Sequence, residues 1–151
     1  MSSIKVSKET TAAPEALWMV VVGIDDWVDV VEAIEVVERL DDGDGFGLGT
    51  TWRETRTMFG KQATEDIEVT EYEEGVRYAT TAESHGSKYF SEIRVDAAST
   101  GSRITMDFRG EPQTALTKVM DATVGRLFIG ATRKALAKDL DDISVAAEAE
   151  Q

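Results

Sequence analysis

A chain of 151 residues, 42% hydrophobic and 30% charged, has the size and make-up for one core, so a single domain over residues 1–151 is expected. Its net charge of −13, from 29 acidic and 16 basic residues, repels phosphate backbones and anionic lipid surfaces and argues against a nucleic-acid partner; the acidity reads as a solubility feature. Lack of cysteine excludes disulfides, thiolate catalysis and cysteine-type zinc sites, no apolar run of about 18 residues offers a membrane span, and Met1 to Thr11 lacks the apolar stretch of a secretory signal, so a cytoplasmic protein is expected.

Ile4 to Thr11 sets Ile4 and Val6 against Lys5 and Ser7, an alternation that predicts a first strand. Ala12, Ala13 and Pro14 end it. Pro14 suits the first turn of a helix, and Glu15 complements the positive end of the helix dipole. Glu15 to Val22 is therefore a short helix, in spite of the poor helix propensity of Val20, Val21 and Val22, and Gly23 closes it. Asp25 or Asp26 caps a second short helix carrying Trp27, Val28 and Val31.

From Ile34 the pattern becomes β, with Ile34, Val36 and Glu38 on one face and Glu35, Val37 and Arg39 on the other. The glycine-rich stretch Asp41 to Gly49 has no P-loop signature, and Asp41, Asp42 and Asp44 would repel a phosphate, so it reads as a hairpin loop. Strands then follow at Thr50 to Phe59, Lys61 to Tyr72, Val76 to Ser84, Lys88 to Asp96 and Ser102 to Arg109. Gly60, Glu73-Glu74-Gly75, His85-Gly86-Ser87 and Ala97 to Gly101 supply the turns. Tight turns at this spacing predict an antiparallel meander in which each strand pairs with its sequence neighbour.

Thr114 to Ala147 holds no proline and reads as helix almost throughout. On a helical wheel Leu116, Val119, Met120, Thr123 and Leu127 cluster together, while Ile129, Leu136, Leu140 and Ile143 fall on nearly the opposite side. A bend near Gly125 or Gly130, where helix propensity is lowest, reconciles the two clusters. Asp139, Asp141, Asp142, Glu148 and Glu150 are assigned to a solvated helix face and a frayed tail.

Certain groups of residues recur in a known order. They are Ala13-Pro14-Glu15 with Leu17-Trp18, Asp26-Trp27, Gly47-Leu48-Gly49-Thr50 with Trp52, Val69 with Glu71-Tyr72, and Gly101-Ser102-Arg103-Ile104-Thr105 before the last helix. In these the chain resembles the START-like, birch-pollen-allergen-type superfamily (SRPBCC), in particular its bacterial polyketide cyclase/dehydrase and lipid-transport branch. The resemblance covers nearly the whole chain and rests on residues that mark turns and helix starts. It implies an α+β helix-grip fold: a curved seven-stranded antiparallel sheet around a long C-terminal helix, with two short helices after the first strand. A mostly apolar cavity between sheet and helix is implied as well. The partner implied is a small hydrophobic or amphipathic ligand, bound or transported, with no cofactor; some members catalyse cyclisation or dehydration, and fold analogy alone does not choose.

If the Thr50 strand turns Trp52 inward, a period of two turns Glu54, Arg56 and Met58 inward with it. A Glu and an Arg on the concave face are costly to bury unless paired. They stand as an anchor for a ligand carboxylate or hydroxyl, or as an acid/base carboxylate tuned by its surroundings. A bulge or shifted register would put them outside, and a purely structural ion pair would leave them no ligand role. The same alternation turns Tyr78, Thr80, Tyr89, Ser91, Ile93, Ile104, Met106 and Phe108 toward the helix. Tyr78 and Tyr89 are the two of these able to orient a ligand, because a buried phenol seeks a partner. Met120 and Leu127 complete the expected wall from the helix, and the resemblance places the mouth beside the short helices and hairpin loops, drawing in Trp27 and Phe46.

His85 is the single histidine and reads as a solvated turn residue; alone and without cysteine it argues against a transition-metal site. No serine-hydrolase spacing is present. Arg53 and Arg77 read as solvated strand faces. Three functions stay open: ligand binding in the cavity, a polyketide-type cyclase or dehydratase with Glu54 as acid/base and Arg56 or a tyrosine polarising a carbonyl, and a protein-interaction module without a ligand. Oligomeric state is open too, a homodimer included.

Overall fold

Alternating strands punctuated by glycine turns build the sheet that the sequence predicts, and a computed structural model describes it for residues 3–58, 60–84, 87–112 and 115–149, with side chains described except at 58, 84 and 112–128. In chain order the elements are β1 (Ser3–Thr10), α1 (Pro14–Val22), a one-turn 3-10 helix (Ile24–Asp26), α2 (Trp27–Val30), β2 (Ile34–Arg39) and β3 (Thr51–Met58). They continue with β4 (Lys61–Glu73), β5 (Arg77–Ser84), β6 (Ser87–Ala98), β7 (Gly101–Pro112) and α3 (Ala115–Ala149). The strands form one seven-stranded sheet in the order β1-β7-β6-β5-β4-β3-β2. Every neighbouring pair is antiparallel.

Two bulges decide which side chains face inward. In β2, Ile34 pairs with Arg56 but Val36 pairs with Thr55, so Glu35 is an extra residue. Past it the alternation flips: Val37 packs on the core, whereas Val36 is 52% exposed. The predicted face of Val36 is thereby corrected, because a bulge adds one residue to a period of two. In β4 the same device sits at Thr70, between Val69 paired with Thr80 and Glu71 paired with Ala79. It keeps Val69 and Tyr72 both inward and leaves Glu71 outside.

Pro14 occupies the start of α1, where its missing N–H costs nothing, and Leu17, Trp18 and Val21 are buried beneath it. The Tyr78 hydroxyl donates to the Val21 carbonyl at 2.8 Å and ties the end of α1 to the sheet. At the β1–α1 corner Ser102 Oγ donates to the Ala12 carbonyl at 2.7 Å, and Thr10 Oγ1 accepts from the Ala12 amide at 3.2 Å. Gly101 approaches so closely that a Cβ there would lie 2.5 Å from the Thr10 carbonyl oxygen.

Helix α3 is 35 residues long and unbroken through Gly125 and Gly130. Leu136, Leu140, Ile143 and Ala147 form its buried stripe. Leu116, Val119, Met120, Thr123 and Leu127 lie outside the described side chains, as do Met58 and His85. The acidic tail differs from expectation. Glu148 accepts from Thr10 Oγ1 at 2.9 Å, the Thr11 amide at 3.2 Å and Thr11 Oγ1 at 3.1 Å, so it fastens the last turn to the β1–α1 corner instead of fraying. Asp139 is buried, at 3% exposure, because it falls beside Ile143 on the stripe that faces the sheet. Among the described residues no helix is long and apolar enough to cross a membrane.

Candidate functional site: a cavity with a buried ion trio

The concave face of the sheet and α3 enclose a cavity of about 520 Å³. Trp52, Ile67, Ile93, Met106, Phe108 and Leu136 give it a mainly apolar wall. Strand β3 carries no bulge against β4, so its period of two holds, and Trp52, Glu54 and Arg56 all face the cavity.

Glu54, Arg56 and Asp139 form one ion trio, with both carboxylates buried and the guanidinium partly so. Arg56 Nε donates to Glu54 Oε2 at 3.1 Å, and Arg56 Nη1 donates to Asp139 Oδ2 at 3.0 Å. The Trp52 indole N–H donates to Glu54 Oε1 at 3.3 Å, so both Glu54 oxygens accept. Burial works against the Arg56 charge, but the Asp139 and Glu54 carboxylates outweigh it and hold the guanidinium above its ordinary pKa. For Asp139 the balance goes the other way: burial pushes its carboxyl up, Arg56 only partly reverses that, and Glu54 and Asp142 add to the rise. One guanidinium shared by two carboxylates leaves the trio negative when all three are ionised.

The other candidates fall into place around it. Met106 and Phe108 line the wall, as do Tyr78 and Tyr89. The Tyr78 proton is committed to Val21, and burial, then the Glu54 charge, raises its pKa well above the ordinary phenol range. Tyr89 stacks on Phe108 with centroids 5.7 Å apart and is half-buried, also with a raised pKa from burial. Thr80 and Ser91 hydrogen-bond each other at 2.6 Å across β5 and β6. Trp27 donates its indole N–H to the Val20 carbonyl at 2.9 Å and meets Trp52 edge-on at 5.6 Å. Met120 and Leu127 lie outside the described side chains.

Trp27 lines the cavity beside Trp52, whereas Phe46 is not among the lining residues. Phe46, carried by the glycine-rich loop, lies behind the wall at 4.8 Å from Tyr78, 6.0 Å from Tyr72 and 6.2 Å from Trp52. The loop holds it there because Asp41 accepts from the Thr51 amide at 2.7 Å and the Gly43 amide at 2.8 Å, and Arg39 bonds the Gly45 carbonyl. These rings close that end. The more exposed lining residues, among them Ala63, Glu65, Tyr89, Arg109 and Gly110, gather at the start of β4, the start of β6 and the end of β7. Arg77, expected to be solvated, is largely covered on the outer face by Glu71, Glu73 and Glu92.

Asp139 and Glu65 escaped the sequence reading. Glu65 stands opposite Glu54 in the β3–β4 register, and that pairing was the signal that could have found it. For Asp139 the signal was its place on the wheel beside Leu136 and Ile143.

Residues 1–143 match the family described as polyketide cyclase / dehydrase and lipid transport. Among solved structures, the protein TTHA0849 from Thermus thermophilus is similar at a TM-score of 0.82 with 13% identity, covering 99% of both chains. The Zhui aromatase/cyclase from Streptomyces sp. R1128 is similar at 0.75 with 14% identity, over 97% of this chain and 93% of that one. Ara h 8.0201 is similar at 0.67 with 17% identity, over 98% of each. At such identities the likeness is one of fold. A search of curated proteins found no match.

Proposed function

Because the chain belongs to the polyketide cyclase/dehydrase and lipid transport family, we propose that it binds a small hydrophobic or amphipathic molecule in the cavity between the sheet and α3. The observation that carries this reading is the cavity of about 520 Å³, apolar over most of its wall with one polar trio. Concave, mostly apolar sites with a few convergent polar groups are the usual form of small-molecule pockets. Trp52, Met106 and Phe108 supply apolar contact, while Glu54, Arg56 and Asp139 orient a polar end.

Titration with the neutral probe N-phenyl-1-naphthylamine tests it. Saturable binding accompanied by a change in Trp52 emission, absent in Trp52→Phe, is the expected result. No saturable binding, together with no co-purifying small mass in native mass spectrometry, would sink the reading.

A second reading, chemistry on a carbonyl-rich ligand of the kind its aromatase/cyclase fold relatives suggest, draws support from Asp139. Burial pushes its carboxyl up, the direction that suits a proton donor, although Arg56 opposes the rise. Glu54, with both oxygens already accepting, suits the acid role less. Turnover of a poly-β-ketone substrate by wild type and its loss in Asp139→Asn would support this second reading.

A further inference from the structure

We propose that the cavity selects apolar ligands bearing a protonated amine and discriminates against carboxylates. This rests on the cavity being a binding site, as proposed above. The charge lining the wall carries it. Among the described residues, β3 contributes Glu54 and Arg56, β4 contributes Glu65, α3 contributes Asp139 and β7 contributes Arg109. Arg109 sits at the rim, with its side chain 47% exposed, paired with Glu111 at 3.1 Å and lying over the Phe90 ring. Deep in the cavity the cation is Arg56 alone among these residues, and Glu54 and Asp139 already hold it.

A carboxylate ligand would have to compete with those two side chains for Arg56. It would also add another negative charge beside Glu54 and Asp139 in a poorly solvated space. An ammonium meets the opposite situation. It neutralises the excess negative charge of the trio, while the apolar wall that includes Trp52 and Phe108 takes up the rest of the ligand. The upward pull on Asp139 agrees: burial and neighbouring carboxylates disfavour its charge, and a bound cation would relieve that.

The test compares three ligands on one skeleton, 1-naphthylmethylamine, 1-naphthylmethanol and 1-naphthoate, each displacing N-phenyl-1-naphthylamine from the wild-type protein near neutral pH, where the amine is charged. The amine should bind at least about tenfold more tightly than the naphthoate, with the alcohol between them. The preference should shrink in Asp139→Asn. The preference for the amine over the alcohol, which does not titrate, should shrink in wild type as well when pH falls and Asp139 takes up a proton, a readout that holds even where the variant fails to fold. Naphthoate binding as well as the amine, or the alcohol binding best, would overturn the proposal while leaving the cavity reading standing. Failure of all three ligands and of the probe would overturn both.

Discussion

Asp139, on the long C-terminal helix, reaches Arg56 on the third strand at 3.0 Å across 83 positions of sequence. This single contact joins the helix to the sheet through charge as well as through the apolar stripe. It also changes what a substitution at Arg56 would do, since two buried carboxylates and not one depend on that guanidinium.

Arg56→Met should therefore cost about 3–5 kcal/mol, the range for breaking a buried ion pair from one side. Adding Glu54→Gln alone would still strand Asp139. The triple change Glu54→Gln, Arg56→Met, Asp139→Asn should recover most of the loss. Urea unfolding of the three variants measures it; equal stability of the single and triple variants would show that the trio is not an energetic unit.

Two carboxylates should leave opposite marks on the pH dependence of stability. The Asp139 pKa is raised in the folded protein, so its contribution is full below the ordinary value of 3.8 and is lost as pH rises through the folded value. Wild type should thus lose stability relative to Asp139→Asn as pH climbs from about 3.8 toward neutrality. The Glu148 pKa is lowered, first by the Thr11 amide and then by the Thr10 and Thr11 hydroxyls, so its contribution is present above 4.5 and lost as pH falls. Glu148→Gln should match wild type in acid and fall behind it near neutrality. Thermal melts at a series of pH values would reveal either sign reversed.

Leu140 is 1% exposed and belongs to the stripe of α3 that packs on the sheet, so Leu140→Ala should cost about 2–5 kcal/mol. Val145, 68% exposed on the same helix, is the internal control: Val145→Ala should stay within about 0.5 kcal/mol. Similar losses at both sites would mean that helix propensity rather than packing governs this half.

Gly101→Ala should destabilise by more than about 1 kcal/mol. Its φ of 153°, and the 2.5 Å that would separate an added methyl carbon from the Thr10 carbonyl oxygen, leave the β1–α1 corner no room to yield. Gly45→Ala, with open space around its position, should be near neutral. Chemical denaturation of both variants checks the contrast.

What the sequence made legible follows the physics of periodicity. Trp52, Glu54 and Arg56 were placed correctly on one face because β3 runs without interruption against β4. Val36 was misplaced because the extra residue Glu35 inverts the alternation, and nothing in Ile-Glu-Val-Val marks a bulge locally. Asp139 looked like its neighbours Asp141 and Asp142. Only the distant Arg56, which no local pattern connects to the helix, makes its burial tolerable. Phe46 was drawn toward the cavity with its loop, but the Asp41 hydrogen bonds that fold the loop back depend on a backbone path that composition does not encode.

The sheet is open, and β1 and β2 are its rims. An uncovered strand edge is a template for another chain, and both rims here are blunted against that. On β1 the Lys5 carbonyl accepts from Arg133 of α3 at 2.8 Å, and Lys8 reaches Asp141 at 3.2 Å, so the helix caps part of the edge. On β2 the bulge at Glu35 breaks the regular spacing of hydrogen-bonding groups, and Glu35 and Glu38 set negative charge along it. A second copy approaching either rim meets mismatched spacing or like charge before it can add a strand, which protects a long antiparallel sheet from edge-to-edge aggregation.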